Sequence, residues 1–236
     1  MIQNFTAIDV ETTGLNPRTE RMIEVGAVKI RDGKITDSFE SLLNPGRKLE
    51  EKIVELTGIT DKMLENAPRP EEVMPKLLDF IGEDILLGHS IMFDYSFIKR
   101  LAVNLRLWEA KSTVWGIDTL KIARHFLTDL ESRSLPFLCK YFEIPHKPHR
   151  AVEDARAAAM LYEKLSEKFS GEGVFEPYKL YYQVKREAPA TSSQKERLYK
   201  LAREHKLVLE YDVDTLTKNE ASRIADKIIL QYGRRG

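Results

Sequence analysis

The sequence predicts an α/β domain of ordinary size followed by a small helical appendage. Three observations carry this expectation. The chain has 236 residues, enough for one such domain and an addition. Three strand-like runs come first. After them, short apolar runs alternate with segments of helical periodicity.

Residues 5–10 read as a buried strand. Residues 22–30 and 35–43 read as two more, joined at Arg31-Asp32-Gly33-Lys34, because Asp-Gly between strand-like runs signals a hairpin. Pro70 suits the first turn of a helix running to about Ile81. Ile85 to Leu87 is a short strand, and residues 93–105 form an amphipathic helix. A strand from Val114 to Ile117 leads into Asp118, whose carboxylate suits the N-cap of the next helix. Shorter helices cover 119–126 and 134–141, and an Ala-rich helix runs from Ala151 to Phe169. Gly171-Glu172-Gly173 ends it. Residues 171–190 contain Pro177 and Pro189, show no sustained period, and read as a linker between a main domain of residues 1–170 and a helical module of residues 191–236. In that module Thr191-Ser192-Ser193-Gln194 and Thr217-Lys218-Asn219-Glu220 both have the capping-box form. Residues 207–211 between them read as extended.

Composition narrows the setting. No apolar run approaches the roughly 20 residues of a membrane span, and Met1-Ile2-Gln3-Asn4 lacks the pattern of a secretory leader. Cys139 is the single cysteine, which excludes an intrachain disulfide and points to a reducing, cytoplasmic setting. Basic and acidic residues balance at 37 each. Residues 1–170 carry 24 of the basic and 27 of the acidic ones, and the remainder 13 and 10. Such a balance does not by itself suggest a nucleic-acid partner.

Acids stand where core residues are expected. Side chains alternate along a strand, so Phe5, Ala7, Asp9 and Glu11 share a face that begins apolar and ends acidic. Asp94 opens the apolar stripe of Phe97, Ile98, Leu101 and Leu105. Asp154 opens that of Ala158, Leu161 and Leu165. Singly, each has an ordinary explanation as an exposed strand-end acid or a helix N-terminal acid. Recurrence on three elements favours a common purpose. Buried carboxylates persist when paired or when they ligate metal, and oxygen-only donor sets suit Mg²⁺ or Mn²⁺.

The strings around these acids resemble a known family. Asp9-Val-Glu11-Thr12-Thr13-Gly14-Leu15 is similar to the first motif of the DnaQ-like, or DEDD, 3′–5′ exonucleases. Gly88-His89-Ser90-Ile91-Met92-Phe93-Asp94 resembles the second, and His149-Arg150-Ala151-Val152-Glu153-Asp154 the third. Histidine five residues before the last Asp matches the histidine branch. The likeness runs from about residue 4 to 168 and is nearest to the proofreading exonuclease domain of Gram-positive replicative polymerases. With no polymerase module in the sequence, the enzyme reads as free-standing.

The resemblance implies a ribonuclease H-like mixed sheet flanked by helices. It implies Asp9, Glu11, Asp94 and Asp154 as ligands of two Mg²⁺ or Mn²⁺ ions, and His149 as general base. Thr12, Thr13 and Leu15 would contact the terminal nucleotide. The activity expected is removal of nucleoside 5′-monophosphates from single-stranded or frayed 3′ ends of DNA, in proofreading or repair. RNA trimming is the alternative substrate reading, and a non-catalytic nucleic-acid-binding module the alternative of another class. His146 reads as an exposed bystander and His89 as support for the second motif's backbone. For the C-terminal module two readings stay open: an arm that holds substrate or docks a replication or repair partner, or a helical pair that covers apolar surface of the main domain.

Overall fold

A computed structural model describes residues 2–169 and 173–233. Its centre is a six-stranded sheet in the order β3-β2-β1-β4-β5-β6. Strands β1 (Phe5–Thr12), β2 (Met22–Arg31) and β3 (Lys34–Leu42) form the expected antiparallel meander, with Asp32 and Gly33 both at positive φ in the hairpin turn. Strands β4 (Leu86–Gly88) and β5 (Val114–Asp118) then add parallel to β1, so the sheet is mixed.

Between β3 and β4 lie α1 (Glu51–Thr57), α2 (Asp61–Glu65) and α3 (Pro70–Ile81). The first two are too short for periodicity to reveal. Helix α4 (Ile91–Asn104) follows β4, and α5 (Thr119–Phe126), α6 (Leu135–Tyr141) and α7 (Ala151–Lys168) follow β5. Asp118 caps α5 as expected, accepting from the amides of Leu120 and Lys121. Alternation along β1 and β2 sorts the core into two layers. Phe5, Ala7 and Val28 pack with α5, α6 and α7, whereas Ile8, Val10, Val25 and Ala27 pack with α3 and α4.

The segment expected to be a plain linker holds structure. A 3-10 turn at Gly173–Phe175 precedes β6 (Tyr178–Leu180), which pairs antiparallel with β5 and becomes the sheet's outer strand. A three-residue strand carries too little alternation to show in the sequence. Gly171 and Glu172, read as helix breakers, lie outside the described residues.

Helices α8 (Ser192–His205) and α9 (Lys218–Tyr232) start at Thr191 and Thr217 through the two capping boxes. Leu198, Leu201, Val213, Leu216, Ala225 and Ile228 give this pair its own small core. The segment read as extended makes one bridge to the main domain, Tyr211 to Arg47, and the Asp212 amide donates to Gly46 O at 2.6 Å. The module is therefore docked. Arg21 donates to both oxygens of Glu220 at 2.8 Å, and Glu220 is buried.

Candidate active site

Asp9 and Glu11 project from the end of β1 on the α7 side. Asp154 sits in the first turn of α7. Each of the three offers a carboxylate oxygen within 4.8 Å of the others. What brings α7 so near is Gly26, which pairs with Asp9 across β1 and β2. A Cβ at Gly26 would stand 2.0 Å from Val152 N and 2.2 Å from Ala151 C. Only glycine lets the helix backbone rest on the strand.

Glu24 completes the anchorage and was not singled out by sequence reasoning. It pairs with Glu11 in the strand register, is fully buried, and accepts from Ala151 N at 3.0 Å and Arg150 Nε at 3.0 Å. A carboxylate capping free amides at a helix N-terminus is favoured by their partial positive charge. The available signal was an acid inside the apolar run Met22-Ile23-Glu24-Val25.

Asp94, in the first turn of α4, is 2% exposed. It stands beside the triad rather than in it, with Oδ1 accepting from Val10 N at 3.1 Å. His89 is held by groups outside its own motif. Its Nε2 donates to Arg133 O at 2.8 Å, and its Nδ1 lies 2.9 Å from Thr119 Oγ1.

The acids repel one another. Burial, followed by the charges of Asp94, Asp154, Glu11 and Glu24, raises the Asp9 pKa well above the ordinary carboxylate range. Burial raises Asp94 likewise. Glu11 is pushed up to about 7, chiefly by burial and then by Asp154 and Glu24. Among the described residues none of Asp9, Glu11 and Asp94 forms a salt bridge. Clustered, desolvated carboxylates without a counter-cation are costly, and this donor set fits a hard divalent cation. Asp9, Glu11, Asp154 and neighbouring Asp94 are the residues that could hold one.

The loop before the third motif departs from expectation. His146 is not exposed: its side chain is 5% exposed, and its Nε2 lies 2.7 Å from Asp154 Oδ1. The other oxygen of Asp154 accepts from Arg150 N at 3.1 Å. The spacing of eight residues crosses a loop and a helix start, so no single periodicity links the pair. His149 is partly exposed and lies at φ 65°, in the left-handed region. A non-glycine residue rarely adopts that conformation without a reason of position. Its imidazole has no hydrogen-bond partner among the described residues.

Thr12, Thr13 and Leu15 fall in and after the end of β1. Both threonines are buried. Thr12 Oγ1 donates to Gly14 O at 2.8 Å. Thr13 Oγ1 donates to Glu20 Oε2 at 2.7 Å and accepts from Arg21 N at 3.0 Å, with Arg47 closing the same network. Their hydroxyls are therefore engaged within the protein. Leu15 is 85% exposed at the tip of the loop.

A mixed sheet whose central strand ends in two acids, faced by two helices that each open with another, defines a nuclease-type carboxylate centre. Residues 6–162 match the model of the exonuclease family (RNase_T). The chain belongs to that family, as a DnaQ-like DEDD member with histidine in its third motif. Among curated relatives, the PolC-type DNA polymerase III of Caldanaerobacter subterraneus is 43% identical over 172 residues, which cover 72% of this chain. That of Bacillus subtilis is 39% identical over 177 residues, covering 73%. In each case the match spans 12% of the relative's length.

Solved structures agree in fold. Exonuclease X, determined in complex with 5′ overhanging duplex DNA, gives a TM-score of 0.57 at 24% identity, covering 72% of this chain and 96% of its own. The nuclease domain of 3′hExo, a DEDDh family member bound to rAMP, gives 0.62 at 19%, covering 76% and 98%. Among the described residues no helix is long and apolar enough to cross a membrane.

Proposed function

We propose that this chain is a metal-dependent 3′–5′ exonuclease that releases nucleoside 5′-monophosphates from DNA ends, in proofreading or repair within the cytoplasm. The observation that carries the reading is the convergence of Asp9, Glu11 and Asp154 to within 4.8 Å beside buried Asp94, with His149 five residues before Asp154. Two Mg²⁺ or Mn²⁺ ions held there would neutralise the scissile phosphate and acidify the attacking water.

In this reading Asp9 and Glu11 hold ligand positions from a rigid strand, and Asp154 does so from a helix fixed by Glu24. His149 accepts the proton of the attacking water, a task suited to imidazole near neutrality. At φ 65° it lies on the loop entering α7, one residue before Arg150, whose amide donates to Asp154. Leu15 presses against the terminal base, whose apolar face would remove much of that exposed side chain from water. The PolC-type relatives support DNA over RNA and a link to replication.

A matched panel of 5′-labelled single-stranded DNA, frayed duplex DNA and RNA, digested with Mg²⁺ or Mn²⁺, tests the proposal. The expected result is stepwise shortening of the DNA from the 3′ end, lost in EDTA. Faster shortening of RNA would reassign the substrate. Binding without cleavage of any substrate would make the chain a non-catalytic binding module.

A further inference from the structure

One cleft outside the carboxylate centre combines the main domain with the C-terminal module. Its volume is about 630 Å³, and its walls include Arg18, Arg100, Tyr182, Lys185, Glu187 and Arg223. Four segments contribute. Arg18 comes from the loop that also carries Leu15, and Arg100 from α4, the helix that begins with Asp94. Residues 182–187 form a strap after β6, and Arg223 lies on α9.

The charges divide into two kinds. Arg100 is spent structurally: its guanidinium donates to Glu187 at 2.6 Å, and Asn219 donates to the other oxygen of Glu187 at 3.0 Å. That pair ties strap, α4 and α9 together at no net charge. Arg18, Lys185 and Arg223 are different. All three are exposed, and among the described residues none has a side-chain hydrogen bond or ion pair. Three unpaired cations around one cleft, in a chain whose charges balance overall, create a local positive field suited to a polyanion.

The cleft shares two elements with the catalytic corner, the Leu15 loop and α4. A strand whose 3′ end lies against Leu15 would leave past Arg18. We propose that this cleft holds the phosphodiester backbone of single-stranded DNA upstream of the 3′ end, and that the docked module exists in part to form its far wall. The inference rests on the exonuclease reading and assigns the strand's path. Its determinants are cations rather than base-reading groups, so grip is independent of sequence and falls steeply with salt.

The test compares wild type with the triple variant Arg18→Ser, Lys185→Ser, Arg223→Ser. All three sites are exposed, so the fold is expected to tolerate the changes. Fluorescence anisotropy of labelled dT20 in EDTA, from 50 to 200 mM NaCl, gives log Kd against log salt. Loss of three phosphate contacts is expected to flatten that slope by about 2, at about 0.7 per contact for single strands. With Mn²⁺ the KM for dT20 is expected to rise on the order of ten-fold or more, while cleavage of thymidine 5′-p-nitrophenyl phosphate, too small to reach the cleft, is unchanged.

An unchanged slope together with an unchanged KM for dT20 overturns the proposal. So does polyglutamate of equal length competing as well as dT20, which would assign the cleft to an acidic protein segment. Wild type that hydrolyses nothing, with the slope still flattened by the variant, would sink the exonuclease reading and leave the cleft assignment standing.

Discussion

Glu11→Gln is expected to stabilise the protein in the absence of divalent cations, although it replaces one of the proposed metal ligands. In the folded chain Glu11 titrates near 7 rather than 4.5, because burial and the charges of Asp154 and Glu24 oppose its ionisation. At 1.36 kcal/mol per pH unit, that difference is a penalty of about 3 kcal/mol on the charged form, taken as a ceiling since the group retains some water. The sign follows from linkage. Below about pH 4.5 the carboxyl is protonated in folded and unfolded chains alike and contributes nothing. Between 4.5 and 7 the unfolded chain ionises first, so stability falls as pH rises. Above 7 the full penalty applies, and the neutral amide escapes it. For a chain of this size 1 kcal/mol corresponds to about 2–4 °C, so the ceiling is a rise of about 6–12 °C. The assay is thermal melting in EDTA at pH 4 and pH 8. The Tm of the variant should exceed that of wild type at pH 8 by several degrees and match it at pH 4. Added Mn²⁺ should raise wild type far more than the variant. A variant less stable than wild type at pH 8 in EDTA would mean that Glu11 stabilises the fold directly, and the account of a strained cluster would be wrong.

Asp9→Ala should abolish cleavage while leaving the Tm in EDTA unchanged or raised, for the same electrostatic reason; a large drop would assign Asp9 to the fold. Gly26→Ala must push α7 off the sheet, because the new Cβ meets backbone at 2.0 Å. Overpacking of this kind costs about 1–3 kcal/mol or more, and unchanged melting would contradict the close approach of helix and strand. His149→Ala should slow single-turnover cleavage by roughly 10²–10⁴-fold at saturating metal. If His146→Ala does this and His149→Ala does not, the histidine at Asp154 takes the role of base.

The parts of this protein legible from sequence are those with local causes. The hairpin at Asp32-Gly33, the N-cap at Asp118 and the capping boxes at Thr191 and Thr217 each depend on a few adjacent residues. Asp9 and Glu11 were visible because a strand's alternation puts them on a face that is otherwise core. What stayed hidden depends on partners far along the chain. Glu24 matters through Ala151 and Arg150, more than a hundred residues away, and buried His146 through an oxygen that the helix start delivers. β6 is too short to show a period, and its place is set by the exposed edge of β5. The engagement of Thr13 with Glu20 and Arg47 is likewise a matter of tertiary contact.

In the proposed function Asp9, Glu11, Asp94 and Asp154 form one metal centre. Anomalous diffraction from crystals soaked in Mn²⁺ tests it most directly. One or two strong peaks ligated by oxygens of these four residues are expected, with Asp94 joining the triad once cations occupy the cluster. Well-occupied Mn²⁺ elsewhere in the molecule, with no peak among these carboxylates, would contradict it.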